Sequence, residues 1–139
     1  MHEPIKLTKG MVKMAKIIIV DDSDYLSEEI KKFLEADGHE VLARGKDGEE
    51  GVELYKQHKP GLTLLDITMP NKDGRECLHE ILEYDENARI VFISAVKDTE
   101  ILMECLKAGA KGFIENPLKF RDEEFCKEFR STIKDAIED

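Results

Sequence analysis

From Lys16 to the end of the chain, short apolar runs alternate with stretches of helical spacing. The runs are Ile17–Val20, Val41–Ala43, Leu62–Leu65, Ile90–Ile93 and Gly112–Ile114. Strands that are apolar at successive positions lack a solvent-facing side, so they are buried on both faces, as parallel strands covered by helices are. Each intervening segment carries one apolar stripe. Leu26, Ile30, Phe33 and Leu34 fall at i, i+4, i+7 and i+8, and Asp37-Gly38 ends that helix with a glycine. A second helix opens at Asp47-Gly48-Glu49-Glu50, a capping-box-like start, and stops before Pro60. Leu78, Ile81 and Leu82 mark a third; Ile101, Leu102, Cys105 and Leu106 mark a fourth that ends near Gly109. The fifth carries Phe125, Phe129, Ile133 and Ile137, with Asp122, Glu123 and Glu124 at the end where the helix dipole favours negative charge. Five strand–helix units with short connections predict an α/β fold: an open, doubly wound, five-stranded parallel sheet with five helices. In such sheets function sits at the carboxyl ends of the strands.

A length of 139 residues suits one domain. The regular pattern begins at Ala15, which assigns residues 15–139 to the domain. Residues 1–14, with three lysines and one glutamate, are expected to form a flexible N-terminal extension. Twenty-one Lys and Arg against 31 Asp and Glu leave a net charge of −10, which repels phosphate backbones and anionic membranes. Neither nucleic acid nor membrane is therefore an expected partner. The longest apolar runs have four residues and no signal-peptide core is visible, so a cytoplasmic location is expected. Cys77, Cys105 and Cys126 are far apart, and His2, His39, His58 and His79 form no ligand-like group, which argues against a disulfide framework or a zinc site.

The chemistry gathers at the predicted strand ends. The first strand runs into Asp21-Asp22, the third into Asp66, the fourth into Ser94 and the fifth into Glu115-Asn116-Pro117. Any one of these alone is an ordinary turn or cap. Three carboxylates converging from two strands repel one another, so they shift their pKa values or bind a cation. Hard oxygen donors without His or Cys favour Mg²⁺, Mn²⁺ or Ca²⁺. No GxxxxGK[ST] or GxGxxG loop supports a nucleotide site. Asp66, set between a buried run and Ile67–Pro70, is a candidate nucleophile that would hold phosphorus as an acyl phosphate beside a metal.

The segments IIIVDDS (17–23), LTLLDITMPNKDG (62–74), IVFISA (90–95) and AGAKGFIENP (108–117) resemble the receiver domain of bacterial two-component response regulators, the CheY-like family. The resemblance covers residues 15 to 138 and implies the flavodoxin-like strand order 2-1-3-4-5. It implies that Asp66 is the phosphoacceptor. It also implies a Mg²⁺ site, open to Mn²⁺, formed by Asp21, Asp22, Asp66 and the backbone carbonyl of Thr68. Ser94 would bind the phosphoryl group, Phe113 would turn inward with the switch, and Pro117 would follow a cis peptide. Thr68 and Val96 would border the path of hydrolytic water. One position departs from the family: Asn116 stands where it has lysine, and neither Lys111 nor Lys119 occupies that place. Asparagine offers a donor without charge.

The expected function is therefore a phospho-accepting receiver that assists its own phosphorylation and dephosphorylation and is not a turnover enzyme. A histidine kinase or phosphotransfer protein would be the donor, and a protein partner would read the face of helix four, strand five and helix five. Since the chain ends after the fifth helix, output is expected to lie on a separate protein or a trimmed domain. Two other readings compete. Asn116 fits a pseudo-receiver that binds its partner without phosphorylation. An aspartyl-nucleophile phosphatase usually needs a second acid two residues after the nucleophile, where this chain has Thr68.

Overall fold

The structure, a computed structural model, describes residues 14–95 and 99–138. The extension expected over residues 1–14 lies outside the described residues apart from Met14. The elements run β1 (Lys16–Val20), α1 (Asp24–Ala36), β2 (Glu40–Gly45), α2 (Gly48–His58), β3 (Leu62–Leu65), α3 (Gly74–Tyr84), β4 (Ile90–Ser94), α4 (Thr99–Ala108), β5 (Gly112–Glu115) and α5 (Glu123–Glu138). The strands form one parallel sheet in the order β2-β1-β3-β4-β5. This is the doubly wound arrangement, and it agrees with the strand order implied by the resemblance.

Alternation along the strands divides the core into two layers. Ile18, Val20, Leu65, Ile90 and Phe92 face α2, α3 and α4, where they meet Val52, Tyr55, Cys77, Leu78, Ile81 and Cys105. Ile17, Ile19, Leu62, Leu64, Val91, Ile93 and Ile114 face α1 and α5, against Ile30, Leu34, Phe129, Ile133 and Ile137. Each fully buried side chain of this kind contributes about 1.5–3 kcal/mol relative to exposure, so both layers hold the helices onto the sheet. The three cysteines are free and buried, Cys77 and Cys105 within the layer of α2, α3 and α4.

Local signals set the ends of the elements. α1 closes in a Schellman motif: Gly38, at φ +94°, donates its N–H to the Glu35 carbonyl, and His39 donates to that of Leu34. At the start of α2, Asp47 Oδ1 accepts the Glu50 N–H at 2.9 Å, while Glu50 reaches back to the Lys46 N–H. Two departures from the apolar pattern have physical causes. β2 extends through Glu40 and Arg44, because an edge strand has polar surroundings on one side. Leu106 is 42% exposed, so the apolar stripe of α4 narrows to buried Cys105 with Ile101 and Leu102 beside it. Phe33, Phe120, Phe125 and Phe129 cluster between α1 and α5, Phe33 stacked on Phe120 and edge-to-face with Phe129, with the Arg130 guanidinium 4.7 Å from the Phe33 ring centre and paired to Asp37. Among the described residues, no helix is long and apolar enough to cross a membrane.

Candidate functional site

Register brings the carboxylates together. β1 and β3 are adjacent parallel strands with Val20 opposite Leu65, so the next residues on each, Asp21 and Asp66, leave the sheet side by side. The Asp66 N–H donates to the Val20 carbonyl at 2.9 Å, which carries the ladder one step past the strand. Asp21, Asp22 and Asp66 each present a carboxylate oxygen, and these oxygens lie within 4.8 Å of one another. The point falls between β1 and β3, where the chain winds outward in opposite directions and an α/β sheet opens its crevice.

The electrostatics follow from burial and crowding. Asp21 is 3% exposed, and its carboxyl is raised above 3.8 chiefly by loss of solvent. The Ser23 N–H, 2.8 Å from Asp21 Oδ1, offsets part of that rise, and the charge of Asp22 adds to it. Asp66 is pushed up to about 7, first by burial and then by the charge of Asp21. Its Oδ1 accepts the Thr68 N–H at 3.3 Å, which opposes the rise. Asp22 is exposed at the rim of the cluster. Carboxylates held this close suit a hard divalent cation, and the donor set contains oxygen only.

Thr68, Ser94 and Asn116 lie at or just past the carboxyl ends of β3, β4 and β5, the end of the sheet that carries the cluster. Thr68 is exposed two residues past Asp66. Ser94 is 1% exposed and ends β4, and its carbonyl accepts the Asn116 N–H at 3.0 Å. Asn116 is joined to Pro117 by a cis peptide, and its side-chain Oδ1 is buried with no hydrogen-bond partner. Phe113 is half-buried on β5, packed at the edge of the α2–α4 layer. Phe113, Asn116, Pro117 and exposed Lys119 line a groove of about 430 Å³ with Phe125 and Phe129 of α5. Lys111 precedes β5, at the opposite end of the sheet from the carboxylates. Val96 lies outside the described residues.

Sequence reading passed over Arg44. Its Nη2 donates to the Asp21 backbone carbonyl at 3.4 Å, and its guanidinium pairs with Asp24. The signal was present in its position at the carboxyl end of β2, beside β1, but a charged residue on an edge strand ordinarily means solvent exposure. Gly74 closes the loop after Asp66. A Cβ there would stand 2.2 Å from the Asp66 carbonyl oxygen, so the loop after Asp66 closes only over a glycine.

Comparison with known proteins agrees with this geometry. Residues 17–128 match the model of the response regulator receiver domain. The chain is 44% identical over 105 residues to the chemotaxis protein CheY of Treponema pallidum, covering 74% of this chain and 73% of that one. It is 41% identical over 104 residues to CheY of Bacillus subtilis, covering 75% and 87%. Among solved structures, the CheX–CheY–BeF3–Mg²⁺ complex from Borrelia burgdorferi matches with a TM-score of 0.78 and 35% identity, covering 85% of each chain. The response regulator domain of Thermotoga maritima CheB matches at 0.81 and 28%, covering 91% and 98%. Sheet order, acidic cluster and these likenesses converge, and the chain belongs to the response regulator receiver domain family, the CheY-like signalling modules of two-component and chemotaxis systems, which are not turnover enzymes.

Proposed function

We propose that this receiver accepts a phosphoryl group on Asp66 in a Mg²⁺-dependent reaction and that phosphorylation switches a protein-binding face. The observation that carries the reading is the convergence of the Asp21, Asp22 and Asp66 oxygens within 4.8 Å. A carboxylate oxygen of Asp66 attacks phosphorus, and the bond from phosphorus to the donor breaks with its electron pair leaving on the donor. With a histidine kinase or phosphotransfer protein that bond is P–N; with an acyl phosphate it is P–O. The Thr68 N–H fixes the rotation of the Asp66 carboxylate for that attack. Asp22, Asp66 and the Thr68 carbonyl, with Asp21 behind them, would hold Mg²⁺, which when bound would supply positive charge toward the phosphoryl oxygens. Ser94, at the end of the neighbouring strand, donates its hydroxyl to the phosphoryl group. Phe113 follows inward, and the face of α4, β5 and α5 changes its affinity for an output protein.

The test is incubation with acetyl phosphate and Mg²⁺, followed by intact mass and hydroxylamine treatment. The reading requires a single phosphoryl adduct that hydroxylamine removes, as it does acyl phosphates. A second reading, a pseudo-receiver that binds its partner unphosphorylated, draws on Asn116, whose buried Oδ1 has no partner and whose side chain brings no charge. It requires that no adduct form.

A further inference from the structure

We infer that the side-chain hydrogen bond between Asp47 and Asn71 is a positioning latch for the acidic site, holding the loop after Asp66 against the start of α2. The inference rests on the reading of Asp21, Asp22 and Asp66 as one metal and phosphoacceptor site. It concerns residues outside that cluster.

The site is built from two halves. Asp21 and Asp22 follow β1, whereas Asp66 and Thr68 belong to the loop between β3 and α3. Ile67 and Met69 anchor the inner side of that loop in the core, but Thr68, Pro70 and Asn71 are exposed, so packing alone does not fix its outer path. Two fastenings do. At the inner end, the Gly74 N–H donates to the Ile67 carbonyl at 2.7 Å, closing the loop on itself. At the outer end, Asn71 Nδ2 donates to Asp47 Oδ2 at 2.8 Å, and the Gly48 N–H donates to the Lys72 carbonyl at 2.9 Å. Both outer bonds end at the N-terminus of α2, and α2 packs on β1 and β2. The latch therefore ties the Asp66 half of the site to the layer that carries the Asp21 half.

Several features are unlike a casual surface contact. Asp47 spends both carboxylate oxygens, Oδ1 as the cap of α2 to the Glu50 N–H at 2.9 Å and Oδ2 on Asn71. Asn71 takes φ +66°, a left-handed conformation that asparagine tolerates better than most side chains, and this conformation shapes the turn that leads into the Lys72 carbonyl. A Cβ on residue 48 would stand 2.2 Å from that carbonyl oxygen, so the approach of loop to helix is closer than any residue but glycine permits. An exposed loop held this closely at one edge loses the freedom that would otherwise move the Thr68 carbonyl and the Asp66 carboxylate relative to β1. Ligand geometry held in advance is affinity, because less ordering remains to be done on binding.

The test compares Mg²⁺ binding by calorimetry in wild type and three variants. Asn71→Gly keeps the left-handed backbone accessible and deletes the side chain with its amide; the exchanged pair below controls for the backbone freedom that glycine adds. Asn71→Asp sets two carboxylates face to face. Asp47→Asn combined with Asn71→Asp restores a hydrogen bond with donor and acceptor exchanged and leaves the total charge unchanged. The latch requires Mg²⁺ affinity to fall about three- to tenfold in Asn71→Gly, the range one hydrogen bond supplies. It must fall further in Asn71→Asp and return to within about twofold of wild type in the exchanged pair. In metal-free protein, amide exchange at Thr68 and Gly74 should quicken in Asn71→Gly while Ile18 and Leu64 in the sheet stay protected. That second readout separates loosening of the loop from loss of the fold. An Asn71→Gly variant that binds Mg²⁺ as wild type does, or an exchanged pair no better than Asn71→Asp alone, overturns the latch and leaves the site standing. A wild type that takes up no Mg²⁺ overturns both.

Discussion

Replacing Asp66 with asparagine should stabilise the metal-free protein at neutral and alkaline pH, although it removes the residue on which the function depends. The Asp66 carboxyl is pushed up to about 7, against 3.8 for an ordinary aspartate, mainly because burial takes solvent from its charged form. Between those pH values the folded protein keeps a proton that the unfolded chain has released. Stability therefore falls as pH rises through 3.8 and toward 7, and above 7 the full penalty is present. At 1.36 kcal/mol per pH unit, the displacement from 3.8 to about 7 amounts to about 4 kcal/mol as a ceiling. Relaxation and water entry reduce that to on the order of 2 kcal/mol. Asparagine has the same shape and keeps an oxygen for the Thr68 N–H, so it removes the charge and little else. The assay is urea denaturation followed by far-ultraviolet circular dichroism in chelator, at pH 5, 6, 7 and 8, for wild type and Asp66→Asn. Contributions from titrating groups that do not interact with Asp66 cancel in the difference. The advantage of the variant should grow steadily from pH 5 to 7 and level off by pH 8. A difference independent of pH, or one that favours wild type at pH 8, refutes the claim that crowded and buried charge destabilises this site.

Other outcomes follow from the same geometry. Asp22→Ala should weaken Mg²⁺ by at least about tenfold, read by calorimetry, since it removes one of few anionic ligands on a hard cation; unchanged affinity would place the ion elsewhere. Gly74→Ala should lower stability by about 1–3 kcal/mol in denaturant titrations, because the new Cβ meets backbone at 2.2 Å and neither partner can step aside cheaply. Asn116→Lys should speed phosphorylation by acetyl phosphate several-fold, as an ammonium beside the phosphoryl oxygens gives a charge-assisted contact about twice as strong as a neutral one. If Asn116→Lys leaves the rate unchanged while Lys119→Ala abolishes it, Lys119 already supplies that charge.

The elements were legible in the sequence because burial on both sheet faces writes itself as consecutive apolar residues. Ile17–Val20 and Ile90–Ile93 are fully buried strands for the reason their pattern gives. The edge strand was harder to read. β2 has solvent on one side, so Glu40 and Arg44 belong to it without adding to an apolar run. Strand order came from the resemblance, since periodicity does not say which strand lies beside which. The carboxylate cluster was visible because its residues directly follow strands whose ends share one edge of the sheet. Arg44 and the Asp47–Asn71 contact were not, because each depends on a side chain reaching a residue 23 or 24 positions away, Arg44 to the Asp21 backbone carbonyl and Asn71 to the Asp47 carboxylate. Leu106 shows the converse error: it has the right helical spacing, but α4 shows it to solvent. The aromatic group of Phe33, Phe120, Phe125 and Phe129 likewise joins α1 to α5 and to the loop before it, far apart in the chain.

The central claim is that Asp66 is the phosphoacceptor of a Mg²⁺ site. It is tested most directly by incubating wild type and Asp66→Asn with acetyl phosphate, with Mg²⁺ or with chelator, and reading intact mass and the modified peptide. The account predicts one phosphoryl group on wild type in Mg²⁺, located on the peptide that contains Asp66, with none in chelator and none on the variant. Equal labelling of Asp66→Asn, or labelling of wild type that ignores the chelator, would contradict it.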